Sequence, residues 1–378
     1  MDPRRQLDDL AGENLLRRLT PGESRNLRIT RSGRELWNFA SNDYLGLSFH
    51  PAISAAFTDG IGRYGTGSGA SRLVTGTSHA HTALEETIAT AKHSEAALTF
   101  SSGYATALSA IPVIAGKGDF VLLDKLAHAS LIDAARMSEA TLRIFPHNDT
   151  ERLGKLLSTL RANHPAARLL VVTESVFSMD GDLCPLPEIL DLCDLHGAQL
   201  LLDEAHAVGV LGPTGMGLAE QLGVQGRVHF QMGTLSKALG LSGGYLAAPR
   251  DWINLIINRA RPFIYTTAPP PALAHAALAA LDLVRSAKGE ALRKTLFHNI
   301  SILRPNHRSA IVPIILGDSR TALAASAALA EKGFLAPPIR YPTVPRNTAR
   351  LRITLSAAHS EDAVKSLAAA LDTPAIPS

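Results

Sequence analysis

Cysteine is almost absent from this sequence: only Cys184 and Cys193 occur among 378 residues. Two cysteines cannot form a disulfide framework, and neither belongs to a CxxC or Cys/His zinc spacing. Such sparse usage is typical of proteins from a reducing compartment. We therefore expect two structural thiols, no metal site and a cytoplasmic location.

An excess of one charge sign and long apolar runs are also missing. The formal net charge of +3 is small beside 37 Lys and Arg and 34 Asp and Glu residues. No Lys/Arg-rich block occurs, so nucleic-acid binding is not indicated. The most apolar later segment, 271–284, contains His275 and Asp282 and is too short to span a membrane. We expect neither a nucleic acid nor a membrane as a partner.

Short apolar runs alternate with amphipathic helical patterns up to about residue 250. The apolar runs predict strands at 96–100, 120–123, 142–145, 169–173, 199–202, 228–232 and 244–247. Helical patterns lie between several of them, at 79–92, 150–163 and 186–196. Because strands separated by helices require crossover connections, we predict an α/β fold with a large, doubly wound, mainly parallel sheet.

The pattern changes after about residue 260. A proline run opens a long helical segment, and the patterns at 310–316, 322–332, 351–355 and 361–371 predict a smaller C-terminal α+β domain. We therefore expect an N-terminal arm over residues 1–45, a large domain over 46–270, and a linking helix with the small domain over 271–378. Ligands of such sheets bind beyond the carboxyl ends of the strands.

Two of these strand ends carry groups that suit a planar, phosphorylated ligand. Ser102, Gly103 and Tyr104 begin a helix after the strand 96–100, where free backbone N–H groups can bind a phosphate. On this segment alone, an ordinary N-cap is the simpler explanation. His128 follows the next strand and could stack on a flat ring, although a lone histidine is more often structural.

Asp203 and Lys237 are the most unusual strand-end residues. Asp203 directly follows three leucines, and a carboxylate at the end of a buried strand is costly unless a cation pairs with it. Lys237 is the only charge in GTLSKALGLSGG, where a desolvated amine could be neutral and nucleophilic. A solvated loop lysine is the simpler alternative. Glu174 and Ser178 follow the strand before Asp203, in a loop that turn chemistry explains equally well.

Two short motifs suggest nucleotide binding. The letters DEAH at 203–206 match a helicase box, but the accompanying phosphate loop GxxxxGK[ST] is missing from the sequence. GTGSGA at 65–70 follows no predicted strand, so a dinucleotide site is not indicated. A DEAH-type nucleotide-binding protein is therefore only a remote alternative.

The predicted strand near residue 350 alternates between apolar and polar residues. Leu351 and Ile353 share one face, while Arg350 and Arg352 share the other. An arginine in this position is either a solvated edge residue or a bidentate partner for a substrate carboxylate.

One ligand, pyridoxal 5′-phosphate (PLP), accounts for the strand-end residues together. It requires a lysine for a covalent bond, a carboxylate for its ring nitrogen, a helix N-terminus for its phosphate and a flat group against its ring. Lys237, Asp203, Ser102 and His128 supply these four groups at successive strand ends. The sequence therefore predicts a PLP-dependent enzyme.

Six segments also resemble the α-oxoamine synthases, which are fold-type-I PLP enzymes that condense an amino acid with an acyl thioester and release CO₂. The segments are SNDYLGL (41–47), HASLIDAAR (128–136), ESVFSMDGD (174–182), DEAHAVGVLGPTGMG (203–217), GTLSKALG (233–240) and LRITLSAAH (351–359). They occur in the family's order over nearly the whole chain from about residue 35. The resemblance implies a fold-type-I PLP-dependent transferase and a homodimer with shared active sites.

The resemblance also implies roles for individual residues. Catalysis would fall to Lys237, His128, Asp203 and His206. The cofactor would further contact Ser102, Gly103, Tyr104, Ser178 and Thr234, with Thr266 or Thr267 of the partner subunit. The substrate would contact Arg352, Asn42, Glu174 and Arg18.

The segment 339–359 bears on the substrate. IRYPTVP followed by TARLRITLSAAH resembles the branch of the family that joins L-alanine to a pimeloyl thioester, carried by coenzyme A or acyl carrier protein. Tyr341 stands where that branch usually has proline. The alternatives are the glycine-using branches, glycine C-acetyltransferase and 5-aminolevulinate synthase.

Overall fold

The computed structural model describes residues 2–372, which group into two compact units. The larger unit comprises residues 47–178 and 182–293, and the smaller unit comprises residues 2–46, 179–181 and 294–372. Residue 1 of the predicted arm and residues 373–378 of the predicted C-terminal domain lie outside the described residues. No helix within residues 2–372 has the length and apolar character that crossing a membrane requires.

The strands of both units, in chain order, are β1 Glu23–Arg25, β2 Arg28–Arg31, β3 Arg34–Asn38, β4 Ala96–Phe100, β5 Phe120–Asp124, β6 Thr141–Phe145, β7 Leu169–Glu174, β8 Gln199–Asp203, β9 Phe230–Thr234, β10 Gly244–Ala248, β11 Ile311–Gly317, β12 Phe334–Leu335, β13 Pro338–Ile339 and β14 Ala349–Thr354.

The α-helices are α1 Pro3–Gly12, α2 Pro51–Tyr64, α3 His79–Ala91, α4 Gly103–Ile114, α5 Ala129–Met137, α6 Thr150–Asn163, α7 Leu186–His196, α8 Leu218–Gln221, α9 Arg250–Arg259, α10 Arg261–Ile264, α11 Pro271–Arg285, α12 Ala287–Leu303, α13 Ser319–Glu331 and α14 Glu361–Leu371. Short helical turns of other kinds lie at Leu47–Phe49, Arg72–Gly76 and Gln225–Arg227.

A seven-stranded sheet occupies the centre of the larger unit within the described residues. Its order is β4-β10-β9-β8-β7-β5-β6. Neighbouring strands are parallel except at β10, which runs antiparallel to β4 and β9. Every residue of β5, β7, β9 and β10 is buried. Because successive side chains point to opposite faces, both faces of the sheet are covered. The predicted doubly wound, mainly parallel sheet is confirmed.

The smaller unit contains two sheets, in the orders β1-β2-β3-β12 and β11-β14-β13. β14 is the central strand of the second sheet, and all of its residues are buried. Arg350 and Arg352 lie on this strand, so the alternative of a solvated edge arginine is wrong. The alternating pattern left open whether the polar face is exposed, and here the central strand buries both faces.

The two units group the chain differently from the predicted arm (1–45), large domain (46–270) and linking helix with small domain (271–378), which stay predictions. α11 groups with the larger unit because it packs closely against α2: a Cβ built on Gly60 would lie 2.9 Å from the Cα atom of Ala272. β3, within the predicted arm, groups with the smaller unit because it pairs in parallel with β12.

A fully buried ion pair lies in the interior of the larger unit. Lys92 Nζ donates to the Glu204 carboxylate and, at 2.6 Å, to the carbonyl oxygen of Met216. The Ala219 N–H donates to the other Glu204 oxygen at 3.0 Å. Burial lowers the pKa of Lys92, but the combined interactions with Glu204 and Tyr245 outweigh burial, so the pKa is raised overall. Lys92 therefore carries its charge, and the pair holds the two side chains in place.

We predict that Lys92→Met lowers the free energy of unfolding by about 3–5 kcal/mol, because it leaves the Glu204 carboxylate buried without its cation. Adding Glu204→Gln should restore part of the loss, since a neutral amide needs no cation. Urea unfolding of the wild type, the single variant and the double variant measures both effects. A single variant as stable as the wild type would contradict this role of the pair.

Candidate active site

The carboxyl ends of the parallel strands border a cavity of about 250 Å³ in the larger unit. Most of the predicted site residues of that unit line it: Ser102, Gly103, Tyr104, His128, Glu174, Asp203, His206, Thr234 and Lys237. Its lining also includes residues that the sequence did not single out: Ser130, Ala205, Met232 and Ser236. β10 enters this edge at Gly244, because it runs antiparallel to its neighbours.

Two carboxylates end neighbouring strands at the cavity. Glu174 and Asp203 are the last residues of β7 and β8 and pair directly in register. Both are buried. Burial raises the pKa of Asp203, although the nearby Lys237 charge opposes the shift. Burial and the charge of Asp203 raise the pKa of Glu174 to about 8, so Glu174 is mostly a neutral acid at pH 7.

Glu174 also holds the backbone of two other predicted residues. Its Oε1 atom accepts the His128 backbone N–H at 2.5 Å, and its carboxylate accepts the Ser178 backbone N–H. Ser178 is buried but is not among the residues that line the cavity. Glu174 therefore joins the loop after β7 to the start of α5, and the predicted contact of Ser178 with a cofactor stays a prediction.

Lys237 lies half-buried in a closed loop after β9, with its Nζ atom 2.9 Å from His206 Nε2. The Leu235 N–H donates to Gly243 O at 3.0 Å, and the Gly240 N–H donates to Lys237 O at 2.8 Å. Gly240 has φ +72, and a Cβ atom there would lie 2.4 Å from the backbone nitrogen of Ser48. The small residues around Lys237 thus permit a tight loop that directs the amine towards the cavity instead of solvent.

The N-terminus of α4 meets several hydroxyl groups at one end of the cavity. Ser102 Oγ caps the helix by accepting the Ala105 N–H at 3.1 Å. Thr234 Oγ1 donates to Gly243 O at 2.7 Å and lies 2.6 Å from Ser236 Oγ. Backbone N–H groups at a helix N-terminus, together with hydroxyls, form a favourable anion site. Ser236 could have been found from the sequence only through its position two residues beyond Thr234.

His128 caps the N-terminus of α5. Its Nδ1 atom accepts the Ser130 N–H at 3.2 Å and lies 2.8 Å from Ser130 Oγ. Desolvation lowers the pKa of His128, against an opposing effect of Asp203. Tyr104 is partly exposed, and its hydroxyl donates to Asp133 Oδ2 at 2.7 Å. The bond of Tyr104 with Asp133 connects the first turn of α4 to α5, and both helices begin at the cavity.

These residues fit PLP by the chemistry of their donor set. One cavity contains an amine, a buried carboxylate, an imidazole, and a helix N-terminus with neighbouring hydroxyls, which are the groups that this cofactor requires. Asp203 provides a physical reason for a cationic ligand, because its charge is buried beside the acid Glu174.

The remaining predicted residues do not line this cavity. In the smaller unit, Arg352 Nη1 donates to Asn42 Oδ1 at 3.1 Å. Its neighbour Arg350 pairs with Asp180 at 2.5 Å. Arg18 is exposed. In the larger unit, Thr267 forms an isolated bridge with Ser71, and Thr266 lies just before it. The predicted roles of Arg352, Asn42, Arg18, Thr266 and Thr267 stay predictions.

Glu204, the second of the DEAH letters, is engaged in the interior of the larger unit. Glu204 is fully buried in its pair with Lys92, on the interior side of the strand-end turn. Within residues 2–372, no group of three or more His, Cys, Asp or Glu side chains could hold a metal ion. Glu204 therefore stabilises the fold.

Comparison with known proteins defines the class of protein. Residues 34–371 match the family model "Aminotransferase class I and II". The chain therefore belongs to the class I and II aminotransferase family. A solved serine palmitoyltransferase from S. paucimobilis with bound PLP superposes with a TM-score of 0.90 at 28% identity, covering 97% of this chain and 95% of that chain. The predicted fold-type-I PLP-dependent transferase and its cofactor are confirmed.

Sequence relatives narrow the class further. The 8-amino-7-oxononanoate synthase of Geobacter sulfurreducens is 46% identical over 97% of this chain and 96% of that protein. The protein of the same name from Maricaulis maris is 49% identical over 91% of this chain and 88% of that protein. The prediction of an acyl-transferring α-oxoamine synthase is confirmed, and these relatives carry the name of its alanine-using branch.

We predict a pH-dependent effect of Glu174→Gln on the cofactor-free protein. The folded-state pKa of Glu174, about 8, lies above the ordinary value of 4.5 for a glutamate, so the folded state binds the extra proton between these two pH values. The wild type should therefore lose stability as pH rises from about 4.5 to about 8, by at most a few kcal/mol. The variant cannot ionise and should lack this loss.

Urea unfolding of both proteins across this pH range measures the difference, with Glu139→Gln as a control at an exposed glutamate. Stability profiles of the wild type and Glu174→Gln that run parallel from pH 4.5 to 8 would contradict a raised pKa for Glu174.

Proposed function

We propose that this chain is an 8-amino-7-oxononanoate synthase, which condenses L-alanine with a pimeloyl thioester in biotin biosynthesis. A carbon–carbon bond forms between the alanine Cα atom and the thioester carbonyl, the carrier thiol leaves, and the alanine carboxylate is lost as CO₂. One observation carries the proposal: a cavity that combines Lys237, His206 and the buried Asp203, in a chain 44–49% identical to several proteins of that name.

Different residues around the cavity would bind different parts of the cofactor. When bound, PLP withdraws electrons from the amino-acid Cα atom, which allows a proton and then CO₂ to leave that carbon. Lys237 would bind PLP covalently, and Asp203 would pair with its ring nitrogen. His206 would hydrogen-bond its ring hydroxyl, and His128 would stack on one face of its ring. Its phosphate would bind the N-terminus of α4 with Ser102, Gly103, Tyr104 and Thr234.

Lys237 is also the residue that we assign to proton transfer at the substrate Cα atom. A general base must lie within hydrogen-bond reach of the proton that it moves, and it needs a fixed position. The closed loop after β9 and the contact of Nζ with His206 at 2.9 Å support this assignment. Asp203 contributes the negative charge that balances a cationic ring.

We assign Glu174 to substrate binding because its side chain is mostly uncharged at pH 7. An ionised Glu174 beside Asp203 would repel the carboxylate of an incoming amino acid. With its pKa raised to about 8, Glu174 adds no second charge at pH 7. It can then accept backbone hydrogen bonds at the start of α5 without opposing the substrate.

The substrate carboxylate is assigned to Arg352, because a guanidinium group binds a carboxylate through two parallel hydrogen bonds. Arg352 is buried and donates to Asn42, which we assign as its neighbour in substrate binding. Arg350, on the same strand, is occupied by its ion pair with Asp180. Arg18 stays a candidate substrate contact from family resemblance alone.

We also propose a cytoplasmic homodimer with shared active sites. Thr266 and Thr267 do not line the cavity of their own chain, which favours a role for Thr266 or Thr267 of the partner subunit at the phosphate. Exposed apolar side chains at Leu73, Val74 and Tyr265 favour an interface between copies. The acyl carrier is coenzyme A or acyl carrier protein, which present the same thioester.

Turnover of a substrate matrix tests the proposed function. The PLP-loaded enzyme is mixed with alanine or glycine and with pimeloyl, acetyl or succinyl thioesters, and thiol release and product mass are measured. We expect alanine with pimeloyl thioester to exceed every other pair by about tenfold or more in kcat/KM. A preference for glycine with acetyl-CoA would instead favour glycine C-acetyltransferase.

Lys237→Ala is the control that separates turnover from folding. It should retain the fold and bind PLP non-covalently, but lose turnover by several orders of magnitude, because the variant lacks both the covalent anchor and the base. Lys117→Ala, at an exposed lysine, should behave like the wild type. Normal turnover by Lys237→Ala would refute its assigned role.

A further inference from the structure

The hydroxyl of Ser130 lies beside the imidazole ring of His128 at the edge of the cavity. Ser130 is buried in the first turn of α5 and also lines the cavity. Its Oγ atom lies 2.8 Å from His128 Nδ1, and its backbone nitrogen lies 3.2 Å from the same atom. Two groups of one residue thus converge on one ring nitrogen.

This convergence fixes the position of the imidazole proton. A backbone N–H can only donate, so Nδ1 must be the acceptor and carries no proton. The Ser130 hydroxyl, at hydrogen-bond distance from an unprotonated nitrogen, then donates as well. In a neutral imidazole, one nitrogen carries the proton and the other accepts. The proton of His128 therefore lies on Nε2.

The surroundings of His128 agree with a neutral ring. A proton on Nδ1 would face the Ser130 backbone N–H, which can only donate, and this disfavours the imidazolium form. The pKa of His128 is lowered by desolvation and by Lys237, while Asp203 and Asp133 act in the opposite direction. Its backbone is fixed as well, because its N–H donates to Glu174 Oε1 at 2.5 Å.

We propose that Ser130 is a positioning residue, whose hydroxyl holds His128 as a neutral ring with its proton on Nε2. The ring then carries one N–H donor, on the edge opposite Ser130, and adds no positive charge to the cavity. Proton transfer at the substrate stays with Lys237. An effect of Ser130 on turnover rests on the proposed function, whereas the protonation state of His128 does not.

Nitrogen-15 NMR of histidine-labelled, full-length protein tests the proposal directly, with and without PLP. His128→Asn identifies the His128 signals. In the wild type, we expect an unprotonated Nδ1 and a protonated Nε2. Ser130→Ala should raise the His128 pKa by somewhat less than one unit, the effect of one lost hydrogen bond of about 1 kcal/mol. Ser130→Thr retains the hydroxyl and should keep the wild-type value.

A proton on Nδ1 in the wild type, or an unchanged His128 pKa in Ser130→Ala, would overturn the proposal. Circular dichroism checks the fold of each variant. Should Ser130→Ala fail to fold, Ser130→Cys replaces it, since a thiol has similar volume but donates only weakly.

Steady-state kinetics test the consequence for turnover. We expect Ser130→Ala to lower kcat about fivefold, with little change in KM for the acyl thioester, and to shift the kcat–pH profile upwards; Ser130→Thr should restore both. Equal profiles for Ser130→Ala and the wild type would refute the positioning role. A wild type that does not use alanine with pimeloyl thioester would refute the proposed function alone, because the NMR result is independent of turnover.

Discussion

The buried carboxylate of Asp203 is the constraint on which the site depends. It ends β8, between β7 and β9 in the centre of the sheet, where water does not compensate its charge. Glu174 ends the adjacent strand in register, so a second acid increases the electrostatic cost. Burial therefore holds Glu174 mostly protonated at pH 7. The buried charge of Asp203 still requires a cation. Lys237 meets this need in part, and a cationic cofactor ring would meet it further.

The consecutive acids Asp203 and Glu204 have different surroundings. Asp203 lines the cavity, and the Ala205 N–H fixes its Oδ1 atom at 2.9 Å. Glu204 is fully buried, and Lys92 pairs with it. This pair anchors the turn that carries Asp203 and His206. A rigid support of this kind lets the neighbouring acid remain available to a ligand.

Much of this arrangement could be predicted from the sequence, because apolar runs mark buried strands and polar residues at their ends mark the site. The predicted strands agree with the observed ones to within two residues, as in β4 and β9. The antiparallel direction of β10 could not be predicted, since direction depends on which strands it joins. The contact of Lys92 with Glu204 could not be predicted either, because two residues so far apart in the sequence form no local pattern.

Hydroxyl groups were the main omission from the predicted site. Ser130 and Ser236 lie where serine commonly caps a helix or forms a turn, so their contacts with His128 and Thr234 became visible only in three dimensions. For Arg350 and Arg352, a period of two in the sequence predicted the strand but left open whether the two arginines are exposed. Burial of the polar face depends on neighbouring strands from distant parts of the chain.

The role of the Asp203 charge can be measured by thermal unfolding of the wild type and Asp203→Asn, each with and without saturating PLP. We expect PLP to stabilise the wild type more than the variant, by about 1.5–3 kcal/mol, because a neutral amide cannot pair with a cationic ring nitrogen. We also expect the cofactor-free variant to be at least as stable as the cofactor-free wild type. Equal stabilisation of both proteins by PLP would contradict the claim that the charge of Asp203 organises the site.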